Sequence, residues 1–427
     1  MILVRVLNMS DSDTDYLSAD EESVNIDEQL DIIPVEIASE VGEVIAHNEP
    51  VEFQRGLPDQ HTYLGHEFNS IPGRVIFADD EIVELCIPDQ SGMETVAPPL
   101  PGQTVPLGFF TWRARNTAAK IIQGNHTFGV LPREGSKYKV GTTVEILGWH
   151  EEPVDRSHIN YLGIKAIGKA RQRFEVLKTY SRREGDNVYQ FAEVKILPEV
   201  SLSSVANSYI SGHNLRLSKL SQLKSLSSVP SFIFDLYDPN ILMEKIKLHV
   251  KTLDGTAILA VMPNSEILDI CYWLILQLPF SEEFTMELLS MNCVVQRLRA
   301  ILSVIGKFEQ GVCCKECNSS LAVTSDSLAL SLHGPHGTFV NPGGYIHDTL
   351  TYSNASGIDV ITSPTMEFSW FPGYNWQIMI CHSCGEHLGW KFTNKDLNPD
   401  NFFCFTKSSV SLRITKKEDS PENFWVM

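Results

Sequence analysis

The sequence predicts a multidomain α+β protein in which a β-rich domain, a small α-helical bundle and an all-β zinc-binding domain follow one another. Three observations predict it. Between His61 and Pro198, short alternating or apolar runs are separated by Gly, Pro and Asn, the texture of strands and turns. From Asp238 to Val304 the apolar period becomes helical. In the last quarter, Cys314-Lys315-Glu316-Cys317 and Cys381-His382-Ser383-Cys384 bracket 63 residues that hold a dense aromatic run, and two such C-x2-C pairs supply the four thiolates of a closed zinc shell.

The chain of 427 residues, 43% apolar, has material for two or three cores. Nine cysteines, odd in number and sparse, fit metal binding and free thiols in a reducing compartment better than a disulfide scaffold. Met1 to Ser10 lacks a secretory apolar core, and Ile270 to Phe280, broken by Gln277 and Pro279, is too short for a bilayer. Cytoplasm and nucleus are therefore the expected locations, with no membrane span. The net charge of -19 is localised: residues 1 to 60 carry fifteen Asp or Glu against Arg5 and Arg55, leaving a balance of -6 for the rest. No basic footprint for phosphate neutralisation is visible, so nucleic acid is not an expected partner.

Residues 1–58 are acidic, poor in aromatics and without sustained period, and are expected to be a disordered tail. Ser10 to Asp13 and Ser18 to Glu22 look like acidic-directed kinase sites, or are plain solvating sequence. Residues 59–199 form the β-rich domain, with strands at Val83 to Pro88, Val96 to Leu107, Thr127 to Leu131, Thr143 to Trp149, Tyr161 to Ile167, Arg173 to Leu177 and Phe191 to Leu197, and one helix near Arg113 to Gln123. Gly163 to Ala170 matches G-x4-G-K, but Ala170 stands where a phosphate loop needs Ser or Thr, and the Ile and Lys alternation reads as a strand.

Residues 200–308 hold a Ser- and Leu-rich connection at 200–231 and then the helical bundle. Asp238 and Pro239 are a cap and first-turn pair followed by Leu242, Ile246, Val250 and Leu253; Asn264 or Ser265 caps a second helix to about Leu278; Ser281 with Glu282 and Glu283 opens a third; Cys293 to Val304 completes the set. The second helix is apolar nearly all round, so it is either the centre of the bundle or packed on one side with a partner on the other. Cys271 and Cys293 belong to this apolar material and read as buried thiols.

Residues 309–415 are the zinc-binding domain, and 416–427 a tail. Cys314, Cys317, Cys381 and Cys384 are assigned to one structural Zn2+ ion, with Cys313 spare and His382 a possible competitor. Between the pairs, Phe339 to Val340 reads as a strand entering a Pro342-Gly343 turn. Trp370 and Trp376, spaced by six in a strand-turn-strand around Pro372-Gly373, face one spot with Trp390 and Phe392 approaching from another strand. The three tryptophans either wall a small pocket or fill the core of a small β domain.

Pro99 to Leu107, Phe128 to Leu131, Gly141 to Ile146 and Ile167 to Leu177 resemble the N-terminal domain of Lon proteases, a substrate or protein interaction module. No Lon ATPase or Ser-Lys protease region follows, so proteolysis is not implied. From His61 to about residue 410, Cys313-Cys314-Lys315-Glu316-Cys317, Val340-Asn341-Pro342-Gly343-Gly344-Tyr345-Ile346-His347, Ser369 to Trp376 and Gly389-Trp390-Lys391-Phe392 resemble the cereblon family. The resemblance implies a β-tent-like zinc domain and a non-catalytic substrate receptor of a cullin-RING ubiquitin ligase. Its bundle would dock on a triple β-propeller adaptor. Its zinc domain would bind glutarimide-type small molecules and protein substrates with cyclic imide termini. Trp370, Trp376 and Trp390 would be the cage walls with Phe392 beside them, the backbone at Phe368 and Trp370 would bond the imide next to Ser369, and Asn341 and Pro342 would sit on a covering loop. Two positions depart from the family: Phe368 stands where His is common, and Gly343 where another His is usual.

An enzymatic reading competes, because zinc-clamped β folds of this kind also resemble methionine sulfoxide reductases. Such an enzyme needs a thiolate nucleophile in the aromatic pocket, and of Cys86, Cys271, Cys293, Cys313 and Cys404 only Cys404 is placed near it by sequence.

Overall fold

The computed structural model of the chain describes residues 50–65, 68–88, 97–133, 135–154, 161–200, 236–253 and 255–414. The kinase-like segments at Ser10 and Ser18, the connection from residue 201 to 231 and the C-terminal tail lie outside these residues. Residues 50–58, assigned by composition to the acidic tail, lie within them, and Phe53, Gly56 and Pro58 are buried. Here β1 (Val51–Glu52) pairs in parallel with Leu397 and Asn398, and Phe53 is buried with its ring edge-on to Tyr374 at 5.3 Å. One aromatic side chain entering an aromatic cluster is a large apolar gain that averaging over an acidic segment conceals.

The first domain comprises β2 (Asn69–Ser70), β3 (Ile82–Ile87), β4 (Thr104–Phe109), α1 (Trp112–Gln123), β5 (Thr127–Val130), β6 (Val140–Val154), β7 (Tyr161–Glu184) and β8 (Asn187–Ile196). Strands β6, β5, β3, β8 and β7 pair in that order and β7 pairs back with β6, so the sheet closes into a barrel that β2 and β4 extend. Closure leaves five strands without free edges. Register shifts within β6 and β7 bend these long strands around the barrel. The two runs expected at Tyr161 and Arg173 are thus one strand, and of the run expected at Val96 to Leu107, whose first residue lies outside the described ones, the strand covers Thr104 onward. Within β7, Ile164, Ala166, Gly168 and Ala170 are buried in strict alternation, which disposes of the phosphate-loop match. Gly141 is dictated by packing, since a Cβ there would stand 2.5 Å from the fully buried ring of Phe174.

The bundle follows as α2 (Pro239–Thr252), α3 (Thr256–Ala260), α4 (Ile267–Gln277), α5 (Glu282–Ser290) and α6 (Val294–Ile305). Asp238 caps α2 through the amides of Asn240 and Ile241, and Ser281 caps α5 through the amide of Phe284. At α4 the N-cap position falls to Glu266 with no side-chain cap, not to Asn264 or Ser265. Burial of Ile270, Leu274 and Ile275 holds that helix instead, each contributing about 1.5–3 kcal/mol. The remaining face of α4 is half buried, lines a cavity of about 600 Å3 with Leu268, Trp273 and Leu276, and is bonded to other parts of the chain. Tyr272 donates to Glu199 at 2.5 Å, Trp273 Nε1 donates to the His333 carbonyl at 2.7 Å, and Gln277 accepts from the His336 amide at 3.1 Å.

The last domain is built from β9 (Phe308–Cys314), β10 (Ser320–Val323), β11 (His336–Val340), β12 (Ile346–Tyr352), β13 (Ile358–Val360), β14 (Asn375–Cys381), β15 (His387–Thr393), β16 (Leu397–Asn398), β17 (Asn401–Thr406) and β18 (Val410–Ile414). A three-stranded sheet, β10-β9-β18, packs against a six-stranded sheet, β11-β12-β17-β15-β14-β13, over Leu321, Leu350, Met379 and Phe405. A second cluster holds Phe53, Trp370, Phe371, Tyr374, Phe392 and Phe402.

Buried polar groups tie the three regions together. Arg173 of the barrel and Arg297 of the bundle are both fully buried and share the Glu199 carboxylate, at 2.6 and 2.8 Å. Gln103 of the barrel donates to Thr338 at 3.0 Å and to Asp348 at 2.9 Å in the last domain. Lys407 reaches the other way, donating to the free carbonyls of Ile275 and Leu276 at the C-terminus of α4. These contacts set the β11–β12 hairpin, which carries part of the candidate site, against the barrel.

Candidate ligand cage and metal centre

The metal centre is made by two matching turns. After Cys314, the Asn318 amide donates back to the Cys314 carbonyl and Asn318 takes a left-handed φ of 58°. After Cys381, the Gly385 amide does the same to the Cys381 carbonyl with φ 74°. Each turn aims two sulfurs at one point: Cys314 and Cys384 Sγ are 3.7 Å apart, Cys317 and Cys381 Sγ 3.6 Å, and all four lie within 4.8 Å of one another. Tetrahedral zinc with 2.3 Å bonds separates its sulfurs by about 3.8 Å, so the donor set fits that ion. Burial opposes ionisation of Cys381, but the Ser319 hydroxyl at 3.2 Å and the Cys384 and Ser383 amides outweigh it and pull the thiol down to about 6. Cys313, buried on the same strand, is not among the four sulfurs, and His382 turns to Asp359 at 3.0 Å. With no position left for water or substrate, the ion is structural.

Cys381 ends β14 and Trp376 lies near its start, five residues and about 17 Å away. The metal therefore fixes the far end of the two strands that carry Trp376 and Trp390. The indoles themselves are placed by different means. Trp376 is on β14 and its Nε1 donates to the Glu367 carbonyl at 2.8 Å; Trp390 is on β15. Trp370 is not on a strand as expected but in the turns between β13 and β14, where Pro372-Gly373 forms a turn closed by the Tyr374 amide on the Phe371 carbonyl at 3.1 Å without joining two strands as a hairpin. It is 6% exposed, stacked on Phe339 at 5.0 Å, edge-on to Trp390 at 4.6 Å, and bonded through Nε1 to the Val340 carbonyl at 3.2 Å. Phe392 is 1% exposed and stacked on Phe402 within the aromatic cluster, so it is core rather than an open wall.

Met366 to Ser369 form a turn closed by the Ser369 amide on the Met366 carbonyl at 3.1 Å, with the Ser369 hydroxyl donating to Phe371. Phe368 takes φ 56° in this turn and is half exposed. Among the described residues, the amide and carbonyl of Phe368 and the amide of Trp370 enter no intramolecular hydrogen bond. The result is an aromatic corner with unused backbone donors and an acceptor along one side.

Asn341 and Pro342 occupy the tip between β11 and β12. The Asn341 side chain accepts from the Gly343 and Tyr345 amides at 2.9 Å, while Pro342 is exposed. Gly344, at φ 86°, lies so near the barrel that a Cβ would meet the Gly108 carbonyl at 3.1 Å.

Sequence reasoning passed over His347 and His387. The His347 ring lies 5.1 Å from Trp390 and 5.7 Å from Trp370, its Nε2 is 3.4 Å from Asn341 Nδ2, and His387 contacts Trp390 at 5.1 Å. Burial, helped by neighbouring His387, pushes His347 down to about 4, so it is a neutral hydrogen-bonding group. The alternation of β12 would have shown that His347 shares a face with Tyr345, but nothing local links it to Trp390. A cavity of about 460 Å3 runs from these histidines and Tyr345 back to Gln103 and Lys407. Cys404 is fully buried within the aromatic cluster and burial pushes its thiol up to about 12, which leaves a reductase-type reaction without a thiolate.

Residues 94–307 match the family described as the ATP-dependent protease La (LON) substrate-binding domain, and residues 311–423 the family described as Yippee zinc-binding/DNA-binding/Mis18, centromere assembly. The chain is 33% identical to protein cereblon of Gallus gallus over 86% of this chain and 87% of that one. It is 34% identical to protein cereblon of Xenopus tropicalis over the same shares, and 30% identical to that of Danio rerio over 89% and 93%. Barrel, bundle, four-cysteine zinc centre and aromatic corner occur in one order along a similarity that spans nearly the whole of both chains, and the chain belongs to the cereblon family.

Proposed function

We propose that this chain is a non-catalytic substrate receptor of a cullin-RING ubiquitin ligase that captures cyclic imides at the aromatic corner of its zinc domain. The ligand is a glutarimide-type ring, either a small molecule or the cyclised C-terminal residue of a protein substrate. The observation that carries the reading is the edge-on Trp370–Trp390 pair, at 4.6 Å, beside the unbonded Phe368 carbonyl and Trp370 amide. An imide has one N–H flanked by carbonyls. Such a ring offers a donor to the Phe368 carbonyl and an acceptor to the Trp370 amide while its flat faces lie against indole. No charged side chain is required, in keeping with a neutral His347 at the same corner. Zinc takes no part in recognition and holds β14 and β15 in register.

In this reading the bundle docks on a triple β-propeller adaptor, in cytoplasm and nucleus. Tyr237 and Leu248 are exposed apolar residues just before and within α2, available to such a partner. Substituting both by Ser should remove adaptor co-purification without unfolding the chain; retained co-purification would place that interface elsewhere. The imide reading is tested by calorimetry of an unsubstituted glutarimide on the whole chain.

A further inference from the structure

Phe368 breaks two rules at once. It sits at the third position of the Met366–Ser369 turn with φ 56°, where a positive φ ordinarily selects Gly or Asn. A bulky side chain in the left-handed region carries strain, and such outliers concentrate where structure serves function. Packing does not account for it either, because the side chain is 53% exposed and makes no ring contact among the described residues. Its neighbours on both sides are pinned to the cage: the Glu367 carbonyl takes the Trp376 indole N–H, and Trp370 bonds the Val340 carbonyl. The turn is thus fixed on both sides of Phe368, whose ring stays exposed beside the Trp370 and Trp376 indoles' anchoring bonds. Met366, 55% exposed, adds an apolar group to the same turn, and the exposed Glu367 adds a carboxylate.

This inference rests on the imide reading above and narrows its substrate class. In a protein whose last residue has cyclised, the preceding residue leaves the ring through one peptide unit, a Cα step of about 3.8 Å. With the ring in the cage, that residue emerges at the rim that Met366, Glu367 and Phe368 form. We infer that Phe368 is a specificity-determining residue: the rim selects protein C-termini in which the cyclic imide follows a large apolar or aromatic residue, and rejects those in which it follows an acidic one. The Phe368 and Met366 side chains supply the apolar contact and the Glu367 carboxylate the repulsion. Backbone bonds to the imide are common to all substrates and carry none of this preference.

The test uses the whole chain and three probes: unsubstituted glutarimide, and two otherwise identical peptides ending in aminoglutarimide preceded by Phe or by Asp. The native chain should bind the Phe peptide about three- to tenfold more tightly than the Asp peptide, the range of a single aromatic contact. Phe368→Ala should lower that ratio, Phe368→Gly should lower it as far while raising the melting temperature by relieving the positive φ, and Phe368→Ala combined with Glu367→Gln should bring it close to one. Equal affinities for the two peptides in the native chain, or a ratio unchanged in both variants, overturn the inference while glutarimide binding leaves the imide reading intact. No binding of glutarimide to the native chain overturns both.

Discussion

The indole nitrogen of Trp370 donates to the carbonyl of Val340 at 3.2 Å, and the amide of the same Val340 donates to the Tyr63 hydroxyl at 3.1 Å. Val340 also packs its side chain into the barrel core with Leu107 and Ile164. One residue of β11 therefore joins the Trp370 indole, the segment before the barrel and the barrel itself. The placement of Trp370 and the packing of the domains against each other are parts of one arrangement.

Tyr63→Phe tests that coupling at the cost of one oxygen. The Val340 amide would be left buried and unpaired, a loss of about 1–3 kcal/mol. Urea denaturation should show the loss, and amide exchange should rise first in β11, at Phe339 and Val340. A stability change below a few tenths of a kcal/mol would mean that the Tyr63 bond does not hold the hairpin.

Stability should fall on mild acidification. His61 is pushed down to about 4 by burial, with Asp59 pulling weakly the other way, and His347 to about 4 by burial and His387. Both folded values lie below the unfolded value of 6.5, so protons bind the unfolded chain preferentially between these limits. The contribution is complete above pH 6.5 and lost as pH falls toward 4, about 2 kcal/mol per histidine at pH 5. His61→Asn, which tolerates the φ of 49° at that position, should reduce the loss measured between pH 7.5 and 5 by about 2 kcal/mol, the remainder belonging to His347 and the other histidines that burial shifts down, His150, His336 and His387. A flat profile over that range would refute it.

Glu199→Gln probes the joint between barrel and bundle. Removing the charge that Arg173 and Arg297 share leaves two buried guanidinium groups uncompensated, a destabilisation of about 3–5 kcal/mol. Replacing both arginines by Met along with Glu199→Leu should recover much of it. A neutral Glu199→Gln would show that the cluster is solvated in solution.

Cys381→Ser should lower zinc to well under one ion per chain and unfold the last domain preferentially, because metal binding and folding are linked. Retention of stoichiometric zinc would contradict the four-thiolate shell.

The zinc centre was legible because two C-x2-C pairs carry their chemistry in local spacing, and the bundle because caps and periods are local too. The path of the aromatic run was not. The spacing of Trp370 and Trp376 predicts a strand-turn-strand, whereas Trp370 is set by its bond to Val340, thirty residues earlier in the chain. His347 was missed for the same reason, since its neighbours Trp370 and Trp390 come from other strands. Phe53 was concealed by the acidic residues around it, and α4 needed no cap once its core face was buried. The left-handed φ of Phe368 had no sequence signal at all, because a Gly-like position was filled by Phe.

Calorimetric titration of the whole chain with unsubstituted glutarimide, native beside Trp376→Ala, tests the central claim most directly. Saturable binding of one equivalent is predicted for the native chain, with affinity at least tenfold weaker in Trp376→Ala at unchanged zinc content. Absence of binding to the native chain, or equal affinity in the two proteins, would return the three tryptophans to the role of core packing.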